Sequence, residues 1–138
     1  MNLTSNLIEV EDNWEAVNDW FLNEKLSDGL PIVPPTTERV EKMLAATTRD
    51  PAEVIGPIPP TWAPCSIEKI AINAVMAGCL PEYLPVIIAA VEAICEPRFN
   101  LYGVQATTGY VGPALLLNGP IRTTLNVNCD SGVFGPGE

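Results

Sequence analysis

The sequence predicts a helix-rich α+β fold with about four helices, proline-rich connecting straps and a small sheet from the C-terminal third. Three observations support this prediction. Apolar residues recur at helical spacing in four segments, most of the 14 prolines lie in the connectors, and the last third is rich in small polar and β-forming residues. A chain of 138 residues can bury a core, so we expect residues 1–138 to form a single domain.

The first predicted helix covers residues 12–23, and Asp12 can cap its start. Its apolar side chains lie at helical spacing: Trp14, Val17, Trp20 and Phe21. Residues 27–35 follow as an extended strap, because each residue before a proline is pushed out of the helical region. Straps of this kind often lie against a core or a neighbouring chain.

A second helix is predicted to begin after Thr36 or Thr37 and to end near Thr47. Its apolar stripe consists of Val40, Met43 and Leu44. Residues 54–60 contain three prolines and are interpreted as a second strap, an ordered connector rather than a disordered tail.

The third helix is predicted to run from Ser66 to about Ala77, where Gly78 can supply the left-handed residue that ends it. The fourth starts near Pro81 or Pro85, since the first helical position needs no N–H. It contains hardly a polar residue, so we expect it to be buried on most sides.

The C-terminal third differs in composition from the helical segments before it. Residues 100–108 are rich in β-forming residues, residues 114–117 predict a short buried strand, and residues 118–120 predict a turn. Residues 121–125 fit one more helical turn.

Charge and composition limit the class of partner. The net charge is −10, with 17 acidic and 7 basic residues, which argues against nucleic acid and against anionic membranes. The longest nearly uncharged apolar run, residues 83–91, is far shorter than the ~18 to 20 residues that span a bilayer. The N-terminus lacks the pattern of a signal peptide, so we expect a cytoplasmic protein.

Charged residues are only 17% of the chain, against roughly 25% in a typical domain. This low content predicts that some apolar surface meets another chain.

The four cysteines are Cys65, Cys79, Cys95 and Cys129, and they form no CxxC pair and no zinc-finger spacing. In a cytoplasm they should be thiols. The chain contains no histidine, which removes the commonest general base and metal ligand. The Gly-Pro dipeptides are turn signals and none forms a Walker or dinucleotide fingerprint, so no nucleotide cofactor is indicated.

Cys79 is the main candidate for a catalytic group, with Glu82 as a possible base. Close to the amino end of the following helix, the Cys79 thiol should have a lowered pKa. The alternative is that Cys79 is a small apolar residue packed where two helices meet, and that Glu82 only stabilises a first helical turn. Cys129 is the second candidate, and a disulfide or a metal ion shared with Cys79 stays open. Cys65 and Cys95 are interpreted as packing residues.

A second group of side chains could bind a small polar substrate. Amide and hydroxyl groups in predicted turns can hydrogen-bond a carbonyl or a carboxylate, and the candidates are Gln105, Thr107, Thr108 and Asn118. Asn73, on the helix that leads to Cys79, joins this group. The alternative is ordinary turn chemistry, in which these side chains satisfy their own loop backbone.

Four segments resemble a poorly characterised bacterial family associated with UGSC-type cysteine or selenocysteine proteins. They are residues 28–35 (DGLPIVPP), 68–79 (EKIAINAVMAGC), 99–108 (FNLYGVQATT) and 118–121 (NGPI). Members of that family are longer, so the resemblance implies that this chain corresponds to an N-terminal half. This chain is then either one subunit of a split protein whose partner supplies the rest, or a truncated copy. The low content of charged residues favours the split protein.

The functional hypothesis is therefore a small subunit of a hetero-oligomeric enzyme with cysteine-dependent lyase or hydrolase chemistry on a small polar organic molecule. Because this chain has no histidine, we expect the partner chain to supply the general base. Two alternatives remain. One is a non-catalytic structural subunit that stabilises a catalytic partner, and it predicts an unreactive Cys79. The other is a thiolate metal site formed by Cys79 and Cys129.

Overall fold

The structure is a computed structural model, and it describes residues 3–129. The α+β class is confirmed, with more helices than the four expected. The described residues form six helices and two strands: α1 (Trp14–Asn23), α2 (Thr37–Leu44), β1 (Val54–Ile58), β2 (Ala63–Ser66), α3 (Ile67–Met76), α4 (Leu84–Cys95), α5 (Leu101–Ala106) and α6 (Ile121–Thr124). Two short 3₁₀ turns, Pro81–Tyr83 and Pro97–Phe99, precede and follow α4.

The core lies between α2, α3 and α4. Ser66 caps α3 and Thr36 caps α2, each by accepting a hydrogen bond from the backbone N–H three residues later, as the sequence predicts. The helices then present their apolar faces to one another. The buried side chains are Val40, Met43, Leu44, Ile67, Ile70, Ala71, Ala74, Val75, Leu84 and Ile88.

The first helix lies outside this core. Its cap is Asn13, whose side chain accepts a hydrogen bond from the backbone N–H of Ala16, so the prediction of Asp12 as the cap is wrong. None of its residues is fully buried. The strap behind it is attached at two points: Asn18 of α1 accepts from the N–H of Ile32, and the N–H of Val33 donates to the carbonyl of Met76 at the end of α3.

The sheet lies in the middle of the chain, where the sequence analysis placed a proline strap. β1 and β2 pair antiparallel, with Gly56 opposite Cys65 and Ile58 opposite Ala63. A two-stranded sheet consists of edge strands alone, so Pro57 removes no ladder bond that the fold requires. The sequence analysis did not predict β1 because prolines are rare in strands, but an edge strand tolerates them.

The predicted sheet in the C-terminal third is not confirmed, since the structure has no strand between residues 100 and 129. Residues 101–106 form α5 because Asn100 takes a left-handed conformation (φ 55°) and caps the helix through its side chain. Tyr102 of α5 stacks on Trp62 of the β1–β2 turn with ring centroids 5.9 Å apart. This contact places α5 on the hairpin.

The fourth helix is less buried than expected. Only Leu84 and Ile88 are fully buried, and they face the core. Pro85, Ala89 and Ala93, on another face, are exposed. This apolar face of α4 is therefore left partly uncovered by residues 3–129. Within residues 3–129, no helix combines the length and apolar character needed to cross a bilayer.

Candidate functional site

Cys79 lies in the turn that ends α3. Gly78 has φ 76°, and its N–H donates to the carbonyl of Val75 at 2.9 Å. The N–H of Cys79 donates to the carbonyl of Ala74, also at 2.9 Å. Together these bonds form a Schellman motif, in which the residue after the left-handed glycine satisfies a carbonyl of the last helical turn. The backbone of Cys79 therefore belongs to the carboxyl end of α3.

The environment of the Cys79 thiol differs from the one expected. The side chain is half-buried and packs against the core of α2, α3 and α4. Burial raises the pKa of the Cys79 thiol above its ordinary value. The prediction of a lowered pKa is wrong, because Leu80 and a three-residue 3₁₀ turn separate Cys79 from α4. A half-buried thiol with a raised pKa is a weak nucleophile.

Glu82 and Asn73, the other residues predicted near Cys79, are both exposed. Glu82 is exposed in the turn Pro81–Tyr83. Among residues 3–129, no hydrogen bond joins Glu82 to Cys79. Asn73 is exposed on α3, and its side-chain amide donates to the carbonyl of Lys69 at 2.8 Å. Exposure to solvent and, for Asn73, the bond to Lys69 account for both side chains without a bound ligand.

The predicted substrate-binding residues lie on separate segments of the surface. Gln105 is exposed on the last turn of α5, and Thr108 is exposed just beyond it. Thr107 ends that helix, and its hydroxyl accepts a hydrogen bond from the N–H of Gly109 at 3.1 Å. This is the turn chemistry that the sequence analysis kept as an alternative. Asn118 is exposed before the turn that leads into α6.

Cys129 is half-buried at the end of the described range. In the part of the chain that the structure describes, no three Cys, Asp or Glu side chains gather into a possible metal site. A shared site between Cys129 and Cys79 stays a prediction.

A groove with an entirely apolar lining runs along α4. One wall is the exposed face of that helix: Pro85, Val86, Ala89, Ala90 and Ala93. The other wall is formed by residues 115–117 and Ile121, and the groove has a volume of about 390 Å³. We call it the α4 groove. Every side chain that lines it is apolar, so it offers no group for acid, base or nucleophilic chemistry.

Much of the α4 groove is open to solvent. Leu116 is 97% exposed and Leu115 is 61% exposed. Apolar side chains clustered at this exposure are typical of surfaces through which proteins bind other molecules. The sequence analysis missed this site because an unbroken apolar helix is typical of a buried one. The signal that could have found it is the second apolar run, residues 114–117, which was interpreted as a strand.

A second groove of about 300 Å³ lies between α1 and the strap after it. Its walls combine apolar side chains such as Trp14 and Leu30 with the acidic Glu15 and Asp19. Of the described residues, none of those predicted as a catalytic, substrate-binding or metal site lines either groove.

Two cysteines that were interpreted as packing residues do come together. Cys95, the last residue of α4, lies beside Gly56 of β1, and Gly56 is paired with Cys65 of β2. No spacing rule links positions so far apart in the chain, so sequence reasoning could not find the pair.

Comparison with protein-family models, with curated proteins and with solved structures gives no match for this chain.

Proposed function

We propose that this chain is a non-catalytic subunit of a hetero-oligomeric assembly and that it binds a different protein in the α4 groove. The observation that supports this proposal best is the groove itself. It sets the exposed apolar face of α4 against residues 115–117, and it contains no polar side chain that could orient a small substrate. An apolar, open surface of this kind fits a protein side chain or an apolar helix.

The environment of Cys79 supports a structural role over a catalytic one. Its N–H completes the end of α3, its side chain packs on the core, and burial raises the pKa of its thiol. The lyase or hydrolase chemistry on a small polar molecule would then belong to the partner chain. A cytoplasmic location, in which the four cysteines would be thiols, remains part of this proposal.

The chemistry of the partner follows from charge. Two copies of a chain with net charge −10 repel each other, so a second copy is a poor occupant of the groove. A different protein with an apolar centre and a basic rim would gain both apolar burial and electrostatic attraction. This chain should therefore bind such a partner faster at low salt than at high salt.

The test is co-expression with the product of the adjacent gene, followed by size-exclusion chromatography with light scattering. Leu116→Ser should abolish the heteromer, because it removes the most exposed apolar side chain of the groove. Leu7→Ser is the matched control, since Leu7 is 81% exposed and lies outside the groove. Neither change should alter the free energy of unfolding by more than about 0.5 kcal/mol. A heteromer that survives Leu116→Ser, or a homodimer that Leu116→Ser dissociates, would contradict the proposal.

A further inference from the structure

The carboxyl end of α4 meets the sheet at a glycine. A Cβ atom placed on Gly56 would lie 3.9 Å from both Cβ and Sγ of Cys95. The Cys95 side chain therefore occupies the space directly over Gly56, on the face of β1 that packs against α4.

The opposite strand brings a second thiol to the same place. Gly56 pairs with Cys65 in the antiparallel register. Side chains of directly paired residues point to the same face, with Cβ atoms about 4.5–5.5 Å apart. Gly56 has no side chain, so Cys65 on the neighbouring strand and Cys95 at the end of α4 lie on two sides of the same space. Cys65 and Cys95 therefore both lie next to Gly56 on the face of the hairpin that packs against α4.

The two thiols also interact electrostatically. Burial raises the pKa of both Cys65 and Cys95, and the neighbouring Cys95 raises that of Cys65 further. When Cys95 is ionised, Cys65 is therefore held in its protonated form. The two thiols therefore ionise one at a time, so that one attacks first and the other resolves the mixed disulfide.

We propose that Cys65 and Cys95 are a redox pair that closes into an intrachain disulfide by exchange with a low-molecular-weight disulfide such as oxidised glutathione. The Cys95 thiolate attacks one sulfur of glutathione disulfide, which forms a mixed disulfide and releases one glutathione thiolate. Cys65 then loses its proton and attacks the Cys95 sulfur, which releases the second glutathione. Two protein thiols are oxidised, one glutathione disulfide is reduced, and two glutathione thiols with their protons are the products.

Closure of this disulfide requires a local movement. Cβ atoms in a disulfide lie about 3.5–4.5 Å apart, so the end of α4 and β2 must be able to approach. The β1–β2 ladder is irregular between Val54 and Gly56, next to the pair, and such irregularities let a strand bend. The disulfide would fix the carboxyl end of α4 to the sheet. This inference does not depend on the proposed function, because it needs no partner chain.

Because burial raises the pKa of both thiols, the test is oxidation of the full chain with oxidised glutathione at alkaline pH, where the thiols ionise, followed by alkylation, trypsin and mass spectrometry without reductant. Trypsin cuts after Lys69 and Arg98, so Cys79 and Cys95 fall in one peptide and Cys65 in the peptide before it. The matched control is Cys79→Ser, which leaves Cys95 as the only cysteine of its peptide. We expect this variant to form the linked peptide as fully as the unchanged chain does. Cys65→Ser should stop at a glutathione adduct on Cys95.

Two results would overturn the proposal. One is loss of the linked peptide in Cys79→Ser, which would assign the bond to Cys79. The other is the accumulation of glutathione adducts, or of unmodified thiols, without a linked peptide.

A second measurement does not depend on oxidation. Phenylarsine oxide binds two neighbouring thiols and releases one water, so the unchanged chain and Cys79→Ser should each bind one arsenical. Cys65→Ser and Cys95→Ser should lose this binding. Circular dichroism of each variant separates this loss from misfolding, and equal binding by all folded variants would contradict the pairing.

Discussion

Thr4 donates two hydrogen bonds to the same carboxylate oxygen of Glu68, one from its backbone N–H at 2.9 Å and one from its hydroxyl at 2.8 Å. The N–H of Ser5 donates to the other oxygen at 2.8 Å. Glu68 is fully buried in the first turn of α3. The segment that precedes α1 is thereby attached to the core, where Leu3 also packs.

The first prediction concerns acid stability. Burial alone would raise the pKa of Glu68, but the hydrogen bonds from Ser5 and Thr4 outweigh it and lower that pKa to about 2, from 4.5. A carboxyl group with a lowered pKa in the folded state contributes stability that is present above pH 4.5 and is lost as the pH falls towards 2. At 1.36 kcal/mol per pKa unit, the contribution is about 3 kcal/mol. Urea unfolding at pH 7, 4 and 2.5 measures it.

Glu68→Gln should lower the free energy of unfolding at pH 7 and flatten its dependence on pH between 4.5 and 2. Glu82→Gln is the control, because Glu82 is an exposed carboxylate that accepts none of the hydrogen bonds found within residues 3–129. Equal pH dependence in Glu68→Gln and in the unchanged chain would show that the contacts to Thr4 and Ser5 do not hold in solution.

The second prediction concerns the end of α3. Gly78→Ala should destabilise the fold by about 1–2 kcal/mol, because an L-residue with a side chain is strained at φ 76°. Steric overlap contributes little, since the nearest atom to an added Cβ is a methyl carbon of Val33 at 3.8 Å. Gly112→Ala is the control, because Gly112 has open space around it and no left-handed conformation. Similar losses in thermal denaturation for both variants would contradict the assigned turn.

The third prediction concerns thiol reactivity. Because burial raises the pKa of the Cys79 thiol above its ordinary value, only a small fraction of this thiol is ionised at pH 7. Its alkylation by iodoacetamide should be slow at pH 7 and should accelerate up to and beyond pH 9. Peptide mapping of the alkylated chain across this pH range measures the rate. A plateau below pH 8 would restore the catalytic hypothesis for Cys79.

Local signals in the sequence were sufficient for part of the fold. Thr36, Ser66 and Gly78 each act within a few residues, through a cap or a left-handed conformation, so the bounds of α2 and α3 could be predicted closely. The hairpin could not be predicted, because Pro57 and Pro64 contradict the usual composition of strands, and the pairing of β1 with β2 depends on backbone geometry.

The candidate sites were harder to predict, because they depend on contacts between distant positions. Glu68 bonds to Thr4 across 64 residues, and a glutamate in a helix is typical of an exposed face. Cys65 and Cys95 meet only because α4 ends over Gly56. In the same way, hydrophobicity alone does not show whether an apolar face such as that of α4 packs inside the chain or outside it.

The central claim is that the α4 groove is a protein interface, and hydrogen–deuterium exchange of the chain with and without the adjacent-gene product tests it most directly. Residues 110–118 belong to no helix or strand, so their amides should exchange quickly in the isolated chain and slow markedly on binding. The groove beside α1 should show no change. Protection at α1 with unchanged exchange in residues 110–118 would contradict the claim.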